Sequence, residues 1–408
     1  MIQDFIDRHF YSLFLVTLIF GVLFYGLIGF QSIDEVCGVL LFCLFLFNVL
    51  NTKDWQINKA FLFTLSIFGF YLCYSLYIQS NSTKAILVDF IIQLKPYLAF
   101  FCVYQLKPKF DTKKITLLKQ TSVACWLLLL PIGLAGILNP KTFVFTMGHA
   151  SNYASAVAAV ALVYFYTSKN TPKDRIIFII MMTLGLISGR AKFYGFFVFA
   201  SVAALYLSNP QNIKLSVKNV VGSLAILSII IFVAKDKIAL YFLQGISEDA
   251  EIDYIARFAL YATSFQIFLD YLPLGCGFAS FATHASGLYY SNIYTKYQID
   301  GVWGLSKSYN SFVSDTYYPS LAQFGIVGVI LFVCFWIYLI KKAYLFFKTT
   351  RETKLTIITI IIVGYFAIEN IADATFTSNR GFFFMMFLGL IVSNMKSKIA
   401  EINNNQNP

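Results

Sequence analysis

Apolar residues gather in long runs along this chain instead of alternating with polar ones, and the runs recur almost from end to end. They fall at about residues 10–30, 34–50, 60–78, 85–105, 120–138, 148–168, 176–188, 191–207, 219–235, 319–340, 355–372 and 379–395. A helix needs about 20 apolar residues to cross a hydrocarbon core of roughly 30 Å, so the pattern predicts an all-α polytopic membrane protein with about twelve transmembrane helices. The seventh and eighth runs form one stretch, Arg175 to Ser208, broken only by "SGRAK". One continuous helix of that length would measure about 50 Å, too long for the core.

Charge placement divides that stretch. With a hairpin at Ser188 to Lys192 and the N-terminus inside, the basic segments "LKPKFDTKKITLLK", "SKNTPKDR", "KLSVK", "KKAYLFFKTTRETK" and "NMKSK" all fall on the cytoplasmic side, as the positive-inside rule requires. A single span would turn "KKAYLFFKTTRETK" outward. The hairpin is therefore expected, with its turn in a recess slightly below the outer surface, because each half is short for a full crossing.

Composition agrees with the membrane reading. The 408 residues are 58% hydrophobic and 12% charged, with mean hydropathy +0.70, against about 25% charged for a soluble domain. The first run is too long for a signal peptide and reads as an uncleaved anchor. A net charge of +11 reports orientation here, not nucleic-acid binding. Six of the seven cysteines lie in apolar runs and Cys276 reads as exposed, so no disulfide framework is expected. His9, His149 and His284 are scattered, so no metal or cofactor is expected either.

The chain then divides into residues 1–234 with helices one to nine, an external segment 235–318, residues 319–396 with helices ten to twelve, and a polar cytoplasmic tail, 397–408. In the external segment, Ile255, Phe258, Tyr261, Phe265 and Phe268 recur at helical spacing before Pro273 and Gly275. That predicts an interfacial helix followed by a turn. The tail "EINNNQNP" is expected to be disordered.

Charged residues inside apolar runs are costly, about 2.5 to 3.5 kcal/mol each at mid-membrane, and so point to function. Arg190 and Lys192 sit in the middle of "LISGRAKFYGFF", and Lys95 lies deep in "IIQLKPYLAFFCVY". Three further features follow in order: "ISGRAKFYGF", "RFALYATSFQIFLDYLPLGCGFASF" and "SDTYYPSLAQFGIVGVILF". With the expected span count, this set resembles the O-antigen ligase and O-antigen or capsule polymerase superfamily over most of residues 85–395.

The resemblance implies a metal-independent glycosyltransferase of the bacterial inner membrane, its active site facing the periplasm. The donor and acceptor would be undecaprenyl-pyrophosphate-linked glycans, with flippase and chain-length regulator proteins as partners. The family's two essential arginines match Arg190 and Arg257. The His-Asn pair usual in ligases falls on Ser314 and Asp315, counting back from Gly325, a departure that favours polymerase over ligase and leaves the general base open. Chemistry supports the arginines: a planar guanidinium binds phosphate oxygens in pairs and keeps its proton.

Each candidate also has a plainer reading. Arg190 and Lys192 fit snorkelling helix ends, Arg257 a lipid-phosphate contact, and Lys95 a structural pair with Asp89 or Glu369. Asp315 fits a helix N-cap as well as a general base. Tyr289, Tyr290 and Trp303, with their neighbours, fit an aromatic belt as well as a glycan-stacking surface, and Arg380 an outer anchor of the last span. A transporter would call for two matching halves and a channel for a repeated polar ring; neither pattern is visible.

Overall fold

A computed structural model describes residues 2–28, 32–52, 57–213 and 252–406, and every regular element among them is helical. In chain order the main helices are α1 (Ile2–Val16, continued by the π-helical Thr17–Leu23), α2 (Ile33–Thr52), α3 (Lys59–Tyr77), α4 (Thr83–Leu106), α5 (Thr112–Leu138), α6 (Lys141–Met147) and α7 (Ala150–Thr167). They continue with α8 (Pro172–Thr183), α9 (Ala191–Tyr206), α10 (Ile252–Asp270), α11 (Gly325–Thr350), α12 (Lys354–Glu369) and α13 (Asn379–Gln406).

Among the described residues seven helices are long and apolar enough to cross a membrane: Ile2–Leu23, Ile33–Thr52, Lys59–Tyr77, Thr83–Leu106, Thr112–Leu138, Tyr318–Thr350 and Asn379–Asn404. The chain is an all-α, multi-pass membrane protein, but the expected count of about twelve is corrected to seven, and the assignment of helices one to nine and ten to twelve falls with it. The reason is that an apolar run reports only that side chains avoid water: it fixes neither the length of the helix that forms nor whether lipid or protein covers it. In α7, 15 of 18 residues are buried inside the protein, whereas only 17% of the α3 window is. Leu62, Phe63 and Phe70 of α3 face outward, as a lipid-facing helix requires. The runs at α8, α9 and α12 give helices of 12, 16 and 16 residues. The run expected at 219–235 lies outside the described residues.

Local chemistry sets the boundaries. Asn58, Ser82 and Asp111 cap α3, α4 and α5 by accepting backbone N–H groups. Thr171 and Asp174 form a capping box on α8, with Pro172 in its first turn. At the other end of α8 a 3-10 turn, Leu184–Ser188, runs into Gly189 at φ +65°, and α9 starts two residues later. A left-handed residue there suits glycine and stops the helix, so "SGRAK" does break the stretch in two.

The core is a packed set of helices around α4 and α13, which lie against each other, with α2, α7, α11 and α12 alongside. Phe383, Phe384, Met385, Met386 and Phe387 of α13 are wholly buried, with Phe14 of α1 against Phe383 and Phe387 and Tyr365 of α12 against Phe384. The helix α13 continues to Gln406, so the tail expected to be disordered is helical as far as it is described.

The segment between α9 and α11, expected to be external, has a small core of its own among the described residues, including Leu260, Ile267, Cys276, Phe281, Tyr294, Leu305 and Val313. Cys276 is therefore buried, not exposed as expected. In α10 the buried face is Ala256, Leu260, Thr263, Ser264 and Ile267, while Phe265 is 75% exposed. Of the apolar set read from the sequence Phe265 alone is exposed, while Ile255, Phe258, Tyr261 and Phe268 are half-buried at the flanks of that face. After the turn, Gly275 (φ +82°) meets Gly325 (φ +57°) at the start of α11. A Cβ on Gly275 would lie 2.3 Å from the Gly325 amide nitrogen and 2.4 Å from the Gln323 carbonyl oxygen. Only glycine lets the two backbones approach so closely, which locks this segment onto the head of α11.

Candidate functional site

Three residues far apart in sequence, Arg190, Arg257 and Asp315, line one cavity of about 350 Å³ together with His149, Lys192, Asp373 and Arg380. Arg190 leads into α9 just after the Gly189 turn. His149 is the N-cap of α7, in a turn pinned by Asn152, whose amide donates to the Met147 carbonyl at 2.7 Å. Arg257 comes from α10, Asp315 from the loop before the 3-10 turn Tyr318–Phe324, and Arg380 from the first turn of α13.

The segment 369–373, at the end of α12, ties these elements together. Tyr261 of α10 donates to the Ile371 carbonyl at 2.8 Å, and the Tyr317 amide donates to the Asn370 carbonyl at 3.2 Å. Lys192 reaches Glu369 at 2.7 Å and Asp373 at 3.2 Å, and Arg380 reaches Asp373 at 3.2 Å and Ser155 at 3.3 Å. Such a network holds its members in place because each buried charge is satisfied by another.

Charge is unevenly matched within the cavity. Lys192 and Arg380 are committed to Glu369 and Asp373. Burial opposes ionisation of Asp373, but Arg380 and Lys192 outweigh it and hold its carboxyl well below the usual carboxylate range. Arg257 pairs with Asp315. Burial raises the Asp315 carboxyl to about 6 even though Arg257 pulls it down. Arg190 has no carboxylate partner among the described residues; its guanidinium lies 2.6 Å from His149 Nε2. Arginine only donates, so Nε2 is the accepting nitrogen and Nδ1 carries the proton, although Nδ1 also lies 3.2 Å from the Ser151 amide, which it cannot then accept. Burial and the nearby Arg190 lower His149 to about 4, so the imidazole is neutral at pH 7 and supplies no counter-charge. Arg190 is thus the one cation of the cavity without a carboxylate partner among the described residues.

A second, polar cavity of about 470 Å³ adjoins the first and shares Asn152, Asp373 and Arg380 with it. Lys95 lines this second cavity, not the first. Its partners are Asp34 and Glu35, the latter at 2.6 Å, in place of the expected Asp89 or Glu369. The two acids sit in the first turn of α2, where the helix dipole favours negative charge, and Asn379 accepts the Asp34 amide at 2.9 Å. Asp89 instead accepts the Ala279 amide at 2.7 Å, and Glu369 belongs to Lys192.

Other expectations are also revised. Asp315 is not the N-cap of the following span: that position is Tyr317, which makes no side-chain cap, and Asp315 is turned to Arg257. Tyr289, Tyr290 and Trp303 line neither polar cavity. Tyr290 donates to the Leu305 carbonyl at 2.6 Å within the small core between α9 and α11, Tyr289 lies under Lys84, and Trp303 is 59% exposed against Tyr309. Arg380 is not simply an outer anchor, because it closes the Asp373 network.

His149, Glu369 and Asp373 were missed as members of this site. "IENIADATFTSNR" did carry a signal, since two acids stand at the end of an apolar run, a few residues before an arginine. Nothing adjacent in sequence links His149 to Arg190, 41 residues away. Among the described residues no three His, Cys, Asp or Glu side chains gather as metal ligands would. No protein-family model matches the chain, and no curated protein matches it.

Proposed function

We propose that this chain is a membrane glycosyltransferase that polymerises undecaprenyl-pyrophosphate-linked oligosaccharide repeats at the outer face of the inner membrane. The observation that carries this reading is Arg190, a cation with a neutral histidine for a partner, in a polar cavity that also holds Arg257 and Asp315. A lipid pyrophosphate is a polyanion held at headgroup depth. Two guanidinium groups that cannot lose their protons stabilise the charge that grows as it departs.

In the proposed reaction an acceptor hydroxyl oxygen bonds to the donor's anomeric carbon as the bond from that carbon to the phosphate oxygen breaks. The pyrophosphate leaves with the bonding pair on its carrier, and Asp315 takes the hydroxyl proton. Asp315 suits the task because a carboxyl near 6 is ionised at pH 7 yet basic enough to accept a proton. Arg257 can serve both partners: as its donors turn to phosphate, Asp315 loses its counter-ion and becomes a stronger base.

The test is incubation of the purified protein with lipid-linked repeats from producing cells. A ladder of products spaced by one repeat supports polymerisation. Transfer of glycan to a different acceptor without a ladder indicates a ligase, and unconsumed substrate refutes both. In the same assay the wild-type rate should fall as pH drops through about 6, where Asp315 takes up a proton and is lost as a base. Asp315→Asn should be slower throughout and should flatten that limb of the profile. An unchanged limb in Asp315→Asn assigns the base to another group.

A further inference from the structure

We infer that the second cavity is a binding site for a neutral, polyhydroxylated ligand, and, resting on the function proposed above, that this ligand is the terminal sugar of the acceptor repeat. The two adjoining cavities differ in charge. Four cations and two carboxylates line the first, whereas two cations and three carboxylates line the second. In the second cavity both cations are already committed: Lys95 to Asp34 and Glu35, and Arg380 to Asp373. An anionic group entering it meets no uncommitted cation and a surplus of carboxylate.

Sugar hydroxyls meet the opposite situation. Each donates one hydrogen bond and accepts others, and the cavity offers carboxylate, amide and hydroxyl groups together, including Gln93, Ser314 and Asn379. Glu35 lines the cavity with its side chain 42% exposed and Oε1 on Lys95 at 2.6 Å, which places a charged acceptor within reach of a ligand hydroxyl. The volume of about 470 Å³ lies inside the range of roughly 300 to 1,000 Å³ usual for small-molecule sites. The geometry also fits a two-substrate reaction, because Asn152, Asp373 and Arg380 border both cavities. A sugar in the second cavity would then present one hydroxyl across that border towards a donor held by Arg190.

Ser314 lines the second cavity and Ala191 the first, and neither side chain makes a hydrogen bond among the described residues. In a cysteine-free background that still extends chains, Ser314→Cys and Ala191→Cys are labelled with a small thiol reagent. The probes are the oligosaccharide released from the lipid-linked repeat of producing cells, and inorganic pyrophosphate. The oligosaccharide should slow labelling at Ser314→Cys and pyrophosphate only that at Ala191→Cys. Pyrophosphate protection at Ser314→Cys, or none by the oligosaccharide, overturns the inference.

A second measurement does not need the cysteine-free protein. With the released oligosaccharide as soluble acceptor, Glu35→Gln should raise its half-saturating concentration roughly tenfold, the loss of one charge-assisted hydrogen bond, with the donor's half-saturation unchanged. An equal rise for donor and acceptor refutes an acceptor site. The two readings fail separately. Protection at Ser314→Cys by the oligosaccharide in a protein that makes no ladder keeps the sugar site and removes the polymerase. A ladder whose acceptor dependence ignores Glu35→Gln keeps the polymerase and removes the sugar site.

Discussion

Arg190→Ala should lower the rate of chain extension about 100- to 1,000-fold, the cost of removing one charged donor aimed at developing charge in a water-poor site. Arg190→Lys should fall between the two, since an ammonium keeps the charge but loses the planar fork that engages two oxygens at once. The fold itself should tolerate either change. Arg190 pairs with no carboxylate among the described residues, so its removal strands no buried partner charge, and His149 is neutral with or without it. The measurement is turnover of purified lipid-linked repeats by protein first shown to be inserted and monodisperse. Arg257→Ala should also be slow, and the double variant should lose less than the product of the single losses if both arginines hold one pyrophosphate. Wild-type turnover by correctly inserted Arg190→Ala would remove the anion site and leave a snorkelling side chain.

Asp373→Asn should act in the opposite way, on stability before rate. Asp373 answers both Lys192 and Arg380, and among the described residues no other carboxylate bonds Arg380. Taking the negative charge away leaves a buried cation uncompensated, at a cost of about 3 to 5 kcal/mol. The pH dependence follows from the sign of the shift. A carboxyl held below its unfolded value near 3.9 contributes stability that is fully present above that value and is lost as pH falls through the folded value. Between pH 5 and 8 the deficit of Asp373→Asn relative to wild type should therefore be constant. A lower midpoint in a denaturing-detergent titration, parallel to wild type across that range, is the expected result. Asp373→Glu, which keeps the charge on a longer arm, should recover part of the loss. An unchanged midpoint for Asp373→Asn would mean that the Lys192 and Arg380 charges are solvated, and that the 369–373 segment does not hold the site together.

The sequence by itself determined that this chain lives in a membrane and is helical, and it determined where the middle of the chain must turn. Long apolar runs admit no other solvent, and one helix from Arg175 to Ser208 would be too long for the core and would turn the later basic loops outward, so a break at "SGRAK" was expected, and Gly189 ends one helix there before Arg190 leads into the next. The cost of charge beside apolar residues marked Arg190, and the family resemblance added Arg257 and Asp315, which line the same cavity. What the sequence could not determine was which apolar runs lipid covers and which protein covers, since both avoid water alike. That is why α7, apolar along its length and buried almost all round, was counted as a span. Nor could it assign partners. Lys95 pairs with acids 60 and 61 residues away in α2, Arg190 with a histidine 41 residues away, and Lys192 with carboxylates beyond residue 368. A charge shows in sequence by the penalty it would pay alone. The group that removes that penalty is brought up only when α2, α4, α7, α9, α12 and α13 pack, so the tertiary structure decided which cations meet a carboxylate and which, among the described residues, does not.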